Sequence, residues 1–390
     1  MEQKKRIAVI FGGVSPEHEV SVITGLQTLE NLDKEKFEAI PIYVSKNGEL
    51  FTGDSLLKIE IYRNLLEIPQ KAQRVQPYLD NQQRGFQVIG GLLKKVIDVD
   101  VIFPCFHGGT GENGAFQGLF ELINLPYVGS TVLASAMGMD KVATKQLFER
   151  AEVPITKYYW FCRKAWEKDK AQILAAIQQK LVFPLFVKPA SAGSSVGVTK
   201  AKNAQELENA IEVALLFDRK VIAEEAFVGR EINISVMGNS GSALETSVCE
   251  EVFPSKDLLS YDDKYNSGNS KSKGMASAKR KIPADITSEI ETKIKSLAKT
   301  AYQTLDCAGL ARVDFLFNEK KKQIVLLEVN TIPGSLSYYL WEPKGIKFKN
   351  LLTLLIDLAL ERYGENRKNT TSFPTNILEN FDPKRKTSKI

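Results

Sequence analysis

The chain has 390 residues, 43% hydrophobic and 25% charged, with 52 Lys and Arg against 47 Asp and Glu for a net charge of +5. That length allows two or three domains with a substantial core, and the mild basic excess suits anionic ligands without a basic arm or zinc-finger spacing that would call for nucleic acid. Cys105, Cys162, Cys249 and Cys307 form no CxxC pair, which argues against a disulfide framework and a zinc site and for reduced thiols in a cytoplasmic protein.

Ile7 to Phe11 reads as a buried strand, and the run ends at Gly12, too short for a signal peptide. Gly12-Gly13 permits a tight turn, Ser15 suits an N-cap and Pro16 the first helical position, with Glu17 and Glu19 in the first turn. Val22, Leu26 and Leu29, with Ile23 beside them, repeat at helical spacing and complete a β-turn-α unit, a place where open α/β sheets bind ligands. Phe37 to Val44 is a second strand, whereas Asn47 to Gly91 is mixed in character and stays unassigned.

Val99 to Phe103 is a buried strand followed by residues 107–114, HGGTGENG, where four glycines in eight residues give either a tight loop or a backbone that approaches a ligand. Phe116 to Ile123 reads as helical, Tyr127 to Ser130 as extended and Val132 to Arg150 as one helix carrying Lys141. The composition change at Ala151 to Pro154 marks the end of a first domain. Pro184 to Lys188 is a strand, and the small-residue loop Ala190 to Gly197 after it offers amides and hydroxyls to a phosphate, though it is not the Walker pattern. A helix over Ala204 to Phe217 and a strand over Val221 to Phe227, with Glu224 and Glu225, follow. Residues 254–281 are polar and carry six lysines and one arginine, as a solvated loop or an active-site lid would. Ile286 to Leu305 is helical. Leu351 to Leu360 is apolar but interrupted by Asp357 and too short to span a membrane, and the tail from Glu365 is polar enough to be disordered.

Between these lies a β-hairpin, ARVDFLFNEKKKQIVLLEVNTIPG, from Ala311 to Gly334. A turn centred near Lys321 sets Asp314 opposite Glu328 and Arg312 opposite Asn330. Two carboxylates facing each other destabilise a sheet unless a cation lies between them, and Mg²⁺ suits such oxygen donors. A solvated charged hairpin face is the alternative.

FGGVSPEHEVS, HGGTGENGAFQG, LPYVGS with MDK, VKPASAGSSVGV, AEEAFVGREINISV, YDDKY, and ARVDF with LEVNTIPG occur in this order, and together they resemble the ATP-grasp superfamily and, within it, the D-alanine:D-alanine ligases. The resemblance implies an α/β, three-domain ATP-grasp fold with an N-terminal doubly wound domain: a substrate domain over residues 1–140, a central subdomain over 141–225, and a C-terminal domain over 226–362 with its lid at 254–281. A disordered tail over 363–390 completes the expected organisation. It further implies ATP bound by Lys141, Lys188, Glu224 and Glu231, two Mg²⁺ ions (or Mn²⁺) on Asp314, Glu328 and Asn330, and catalysis by Glu17, Ser194, Tyr265, Arg312 and Gly334. Substrate contacts fall to His107, Lys264, Tyr339 and Leu340.

The activity implied is ATP-dependent joining of D-alanine to D-alanine through an acyl phosphate, by a cytoplasmic homodimer with no nucleic-acid or membrane partner. At one point the chain departs from that family: Tyr339 stands where a serine holds the second substrate's carboxylate. Two further readings therefore stay open, a ligase joining another amino acid to a different acid, as in the ligases of mycosporine-like compounds, and a non-catalytic nucleotide-binding protein.

Overall fold

The computed structural model describes residues 3–80, 83–90, 94–253, 279–376 and 379. Within them the chain builds three sheets. The first has the order β6-β5-β4-β3-β2-β1-β7. Its centre is parallel: β1 (Lys5–Gly12) runs between β2 (Phe37–Val44) and β7 (Val101–Pro104). Ile7 to Phe11 are fully buried, as a central parallel strand requires, and this is why that stretch is continuously apolar.

The segment that the sequence leaves unassigned supplies β3 (Leu50–Thr52), β4 (Gln73–Leu79), β5 (Arg84–Val88) and β6 (Val96–Asp98), an antiparallel extension of the same sheet. These strands are short and polar, with Pro77 inside β4 and 3₁₀ turns between β3 and β4, so no period of two stands out.

Two expected helices differ. The first starts at His18, not Pro16, because Ser15 Oγ accepts from the Glu17 amide and holds residues 14–17 in a turn. Its buried face also includes Ser21, Thr24 and Thr28, while Ile23 is exposed. The helix expected over Val132 to Arg150 is two, Val132–Met139 and Lys141–Arg150, broken at Asp140, whose carboxylate caps the second by accepting from the amides of Val142 and Ala143.

The second sheet, β10-β9-β11-β8, is antiparallel and consists of β8 (Tyr158–Cys162), β9 (Leu185–Pro189), β10 (Thr199–Ala201) and β11 (Lys220–Glu225). Helices Lys170–Lys180 and Ala204–Leu215 cover it through Ile173, Ile177, Leu207 and Ile211. The third sheet has the order β15-β14-β12-β16-β17, with β13 (Glu245–Thr246) paired to β12 (Arg230–Asn239). Its other members are β14 (Glu250–Phe253), β15 (Lys279–Lys281), β16 (Ala308–Asn318) and β17 (Gln323–Asn330). Helix Ser288–Thr304 packs on one face through Ile294, Ala298, Ala301 and Tyr302. The other face carries polar and charged side chains, among them Asn233, Glu250 and Asp314.

The C-terminal helix Phe348–Asn366 returns to the beginning of the chain: Leu351, Leu352, Leu355 and Ile356 share one core with β1 and β7. Arg362 ties this helix down, donating to the carbonyls of Gly129 and Tyr127, the latter at 2.8 Å, with its guanidinium carbon 4.6 Å from the Tyr127 ring centroid. Helix persists through Asn366, into the span expected as a disordered tail, and residues 370–376 lie exposed outside any helix or strand. Of the expected lid, only residues 279–281 are described, as β15. No helix among the described residues is long and apolar enough to cross a membrane.

Arg362→Ala should lower the unfolding free energy by about 2 kcal/mol, the cost of removing a charged donor from two carbonyls. Denaturant titration checks this, and an unchanged midpoint would contradict the assigned tether.

Candidate active site

Pairing registers decide which side chains share the polar face of the third sheet. Glu250 lies opposite Asn233, Asn233 opposite Asp314, and Asp314 opposite Glu328, one polar row across four strands. Arg312 lies between Ser235 and Asn330 in the next row. The alignment of Asp314 with Glu328 depends on a bulge. From the tip, Asn318 pairs with Gln323 and Phe315 with Leu326, a register that would set Leu327 opposite Asp314. Instead the register shifts at Asp314, Leu327 is the extra residue, and Val329 rejoins Leu326 in the core. Glu328 and Asn330 are thereby turned toward the polar face.

Asp314 is 2% exposed and accepts two bonds from Arg312, Nε to Oδ1 and Nη2 to Oδ2, both at 2.7 Å. Asn330 Nδ2 adds a third at 2.9 Å. Burial raises the Asp314 carboxyl, Arg312 pulls it back, and Glu328 and Glu231 push it up, leaving it at about 7. Burial likewise raises Glu231. No hydrogen-bond donor among the described residues reaches the Glu328 carboxylate. No cluster of three His, Cys, Asp or Glu suited to a metal occurs among the described residues, so any metal here would rest on two carboxylates and an amide oxygen. That set suits Mg²⁺, which completes its shell with water and phosphate oxygens.

A second group of charges lies at the central sheet. Glu224 is 3% exposed, with Lys145 Nζ at 3.2 Å and Lys188 Nζ at 3.3 Å. Thr156 accepts from Lys145 and donates to Glu224, both at 2.9 Å. Burial would raise the Glu224 carboxyl, but Lys188 and Lys145 outweigh it and hold the group at about 2. The Glu224 carboxylate is the counter-ion of two lysines, one of them the Lys188 expected at the phosphates. Lys141 Nζ donates to the Ala192 carbonyl at 2.7 Å, which brings it against the small-residue loop. Glu231 lies elsewhere, on the third sheet opposite Leu316.

A third group joins the first and second sheets. Ser194 Oγ donates to Glu17 Oε1. Gly108 and Gly193 both close on that carboxylate, since a Cβ on either would lie 2.8 or 2.7 Å from Glu17 Oε2. His107, 4% exposed, shares a 2.8 Å hydrogen bond between Nε2 and Thr24 Oγ1, which in turn accepts from the Ser335 amide at 3.2 Å. Through Thr24, His107 thereby braces the turn after Pro333. Burial depresses the pKa of His107 to about 4. Tyr265 and Lys264 lie outside the described residues.

That turn runs through Gly334 and then Ser335, Leu336 and Ser337 at φ of 48°, 52° and 47°, a left-handed run of non-glycine residues that costs energy and must be held from outside. Leu340 is fully buried. Tyr339 Oη donates to Glu250 Oε1 at 3.2 Å.

Four charged residues escape the sequence reading. Lys145 carried one faint signal, its position one helical turn after Lys141. Glu112 is the acidic residue of the glycine-rich loop; it accepts from the Gly108 amide at 2.5 Å, and burial first, then Glu17 and Glu328, raise it to about 8. Glu250 and Arg280 carried none.

Family models match the chain over residues 6–130, described as the D-ala D-ala ligase N-terminus, and over residues 147–357, described as the D-ala D-ala ligase C-terminus. The D-alanine–D-alanine ligase of Natranaerobius thermophilus is 40% identical over 375 residues, covering 95% of this chain and 99% of that protein. That of Geobacillus kaustophilus is 41% identical over 375 residues, with 95% and 98% covered. Among solved structures, the D-alanine–D-alanine ligase from Coxiella burnetii superposes with a TM-score of 0.80 at 28% identity, covering 94% of this chain and 96% of that one. The VanG D-Ala:D-Ser ligase from Enterococcus faecalis gives a TM-score of 0.80 at 35% identity, with 92% and 100% covered.

His107 sets a pH dependence. Its folded pKa of about 4 lies below the ordinary 6.5, so its contribution to stability is complete above 6.5 and is lost as pH falls to 4. His107→Gln should flatten this acid limb by up to about 3 kcal/mol, read as melting temperature against pH. Parallel curves for variant and parent would refute it.

Proposed function

The chain belongs to the D-alanine:D-alanine ligase family, and from that premise we propose how its residues divide the work of joining two D-alanines at the expense of ATP. Relatives of that activity align with it along nearly their whole length. The reading with a different acid gains no comparable support. The observation that carries the proposal is the face of the third sheet, where Arg312 and Asn330 hold Asp314 beside Glu328.

The donor's carboxylate oxygen attacks the γ-phosphorus of ATP, giving an acyl phosphate and ADP. The acceptor's amine then forms the C–N bond as phosphate leaves and the nitrogen loses a proton. Phosphoryl transfer of this kind depends mainly on positioning and charge neutralisation. Lys141 and Lys188 meet the phosphates; Glu224 and Lys145 fix the height and direction of Lys188. Glu17, held between Gly108, Gly193 and Ser194, takes the donor's ammonium group.

Asp314, Glu328 and Asn330 would hold Mg²⁺, which supplies charge neutralisation at the phosphate oxygens. Arg312 spends Nε and Nη2 on Asp314, which leaves Nη1 to meet the oxyanion of the tetrahedral intermediate together with the Gly334 amide. Glu231 faces the nucleoside side of the sheet. Tyr265 and Lys264 retain the roles the family gives them, in a reaction assigned to a cytoplasmic homodimer.

Purified protein given ATP, Mg²⁺ and D-alanine should release phosphate and form D-alanyl-D-alanine, and EDTA should abolish both. Turnover with another amine and acid but none with D-alanine would sink the assignment. Arg312→Met should lower kcat by roughly a hundredfold or more, and Glu328→Gln should raise the Mg²⁺ concentration needed for half-maximal rate.

A further inference from the structure

The turn after Gly334 leads to a cluster with no role so far. Tyr339 gives its hydroxyl proton to Glu250 Oε1, and a phenol has one such proton, so it is not the donor for a substrate carboxylate. Glu250 is 1% exposed; its Oε2 has no hydrogen-bond partner among the described residues and faces Arg280 Nη1 at 3.7 Å. Arg280 lies over the Tyr339 ring, its guanidinium carbon 4.9 Å from the centroid. Strand pairing sets Arg280 opposite Val252 and Val252 opposite Glu231, on the same face of the sheet as Asn233 and Asp314. Arg312 and Arg280 both act electrostatically on the same phenol.

An acceptor amino acid brings a carboxylate as well as an amine, and a carboxylate leaving water needs a cation of matching geometry. Arg312 is committed to Asp314 through two bonds and faces the reacting carbon. Arg280 is a second guanidinium on that face, with 26% of its side chain exposed. A guanidinium stacked on a ring keeps its donors in one plane at the edge, which matches a carboxylate's two oxygens. The buried negative charge of Glu250 keeps Arg280 seated over the ring.

We propose that Arg280, stacked on Tyr339 and paired with Glu250, receives the carboxylate of the acceptor amino acid. Tyr339 then shapes the acceptor site with its ring and anchors it with its hydroxyl. The assignment rests on the reading of the chain as an amino-acid ligase, and the test separates the two.

Full-length protein is assayed with D-alanine as acceptor and with hydroxylamine, a nucleophile with no carboxylate, which traps the D-alanyl phosphate as a hydroxamate. Arg280→Gln should raise the acceptor KM roughly thirtyfold or more, with the KM for ATP and the rate of hydroxamate formation held, and Arg280→Lys should recover part of the loss. An acceptor KM within about threefold of the parent, or hydroxamate and dipeptide falling in step, overturns the proposal. A parent that makes neither product overturns the ligase reading itself, and this assignment with it.

Discussion

A carboxylate that is taken out of water needs a cation near it, and this constraint organises the molecule. Asp314 has Arg312; Glu224 has Lys145 and Lys188; Glu250 has Arg280. Arg312 and Asp314 alternate along one strand, whereas the partners of Glu224 and Glu250 come from other strands or helices, so those charges balance only once these elements have assembled. The pairs also set directions: a lysine shared between a buried carboxylate and open space has its ammonium aimed before a phosphate arrives. Such preorganisation removes the reorganisation cost that would otherwise fall on the reaction.

The backbone serves the same end. Inserting Leu327 into β17 costs a local break in the ladder, and in return two residues that would face the core face the chemistry. The left-handed run Ser335 to Ser337 is likewise unfavourable on its own. Thr24 on the first helix, bonded to His107 in the loop after β7, holds it through the main-chain amide of Ser335. Strain in the third sheet's loop is thus offset by a hydrogen bond from that helix.

Much of this was legible in the sequence where a physical period was strong. Alternation marked the hairpin, and the continuous run Ile7 to Phe11 marked the central strand. The pairing of Asp314 with Glu328 came out as expected, although the argument from a symmetric turn passed over the bulge that makes it true. β3 to β6 were illegible because short, polar, partly exposed strands carry no period. Glu112, Lys145, Glu250 and Arg280 were missed for a different reason: each gains its meaning from partners distant in the chain, and a single charged residue in a sequence looks the same whether it is solvated or buried.

The helix Phe348–Asn366 completes the core around β1 and β7, although nearly the whole chain separates them. On the ribosome, the first sheet is therefore made early and finished late. Its apolar flank waits through the synthesis of both other sheets before Leu351, Leu352, Leu355 and Ile356 emerge to cover it. An unfinished chain exposes that flank, which makes the nascent protein a natural client for chaperones until its last turns are released.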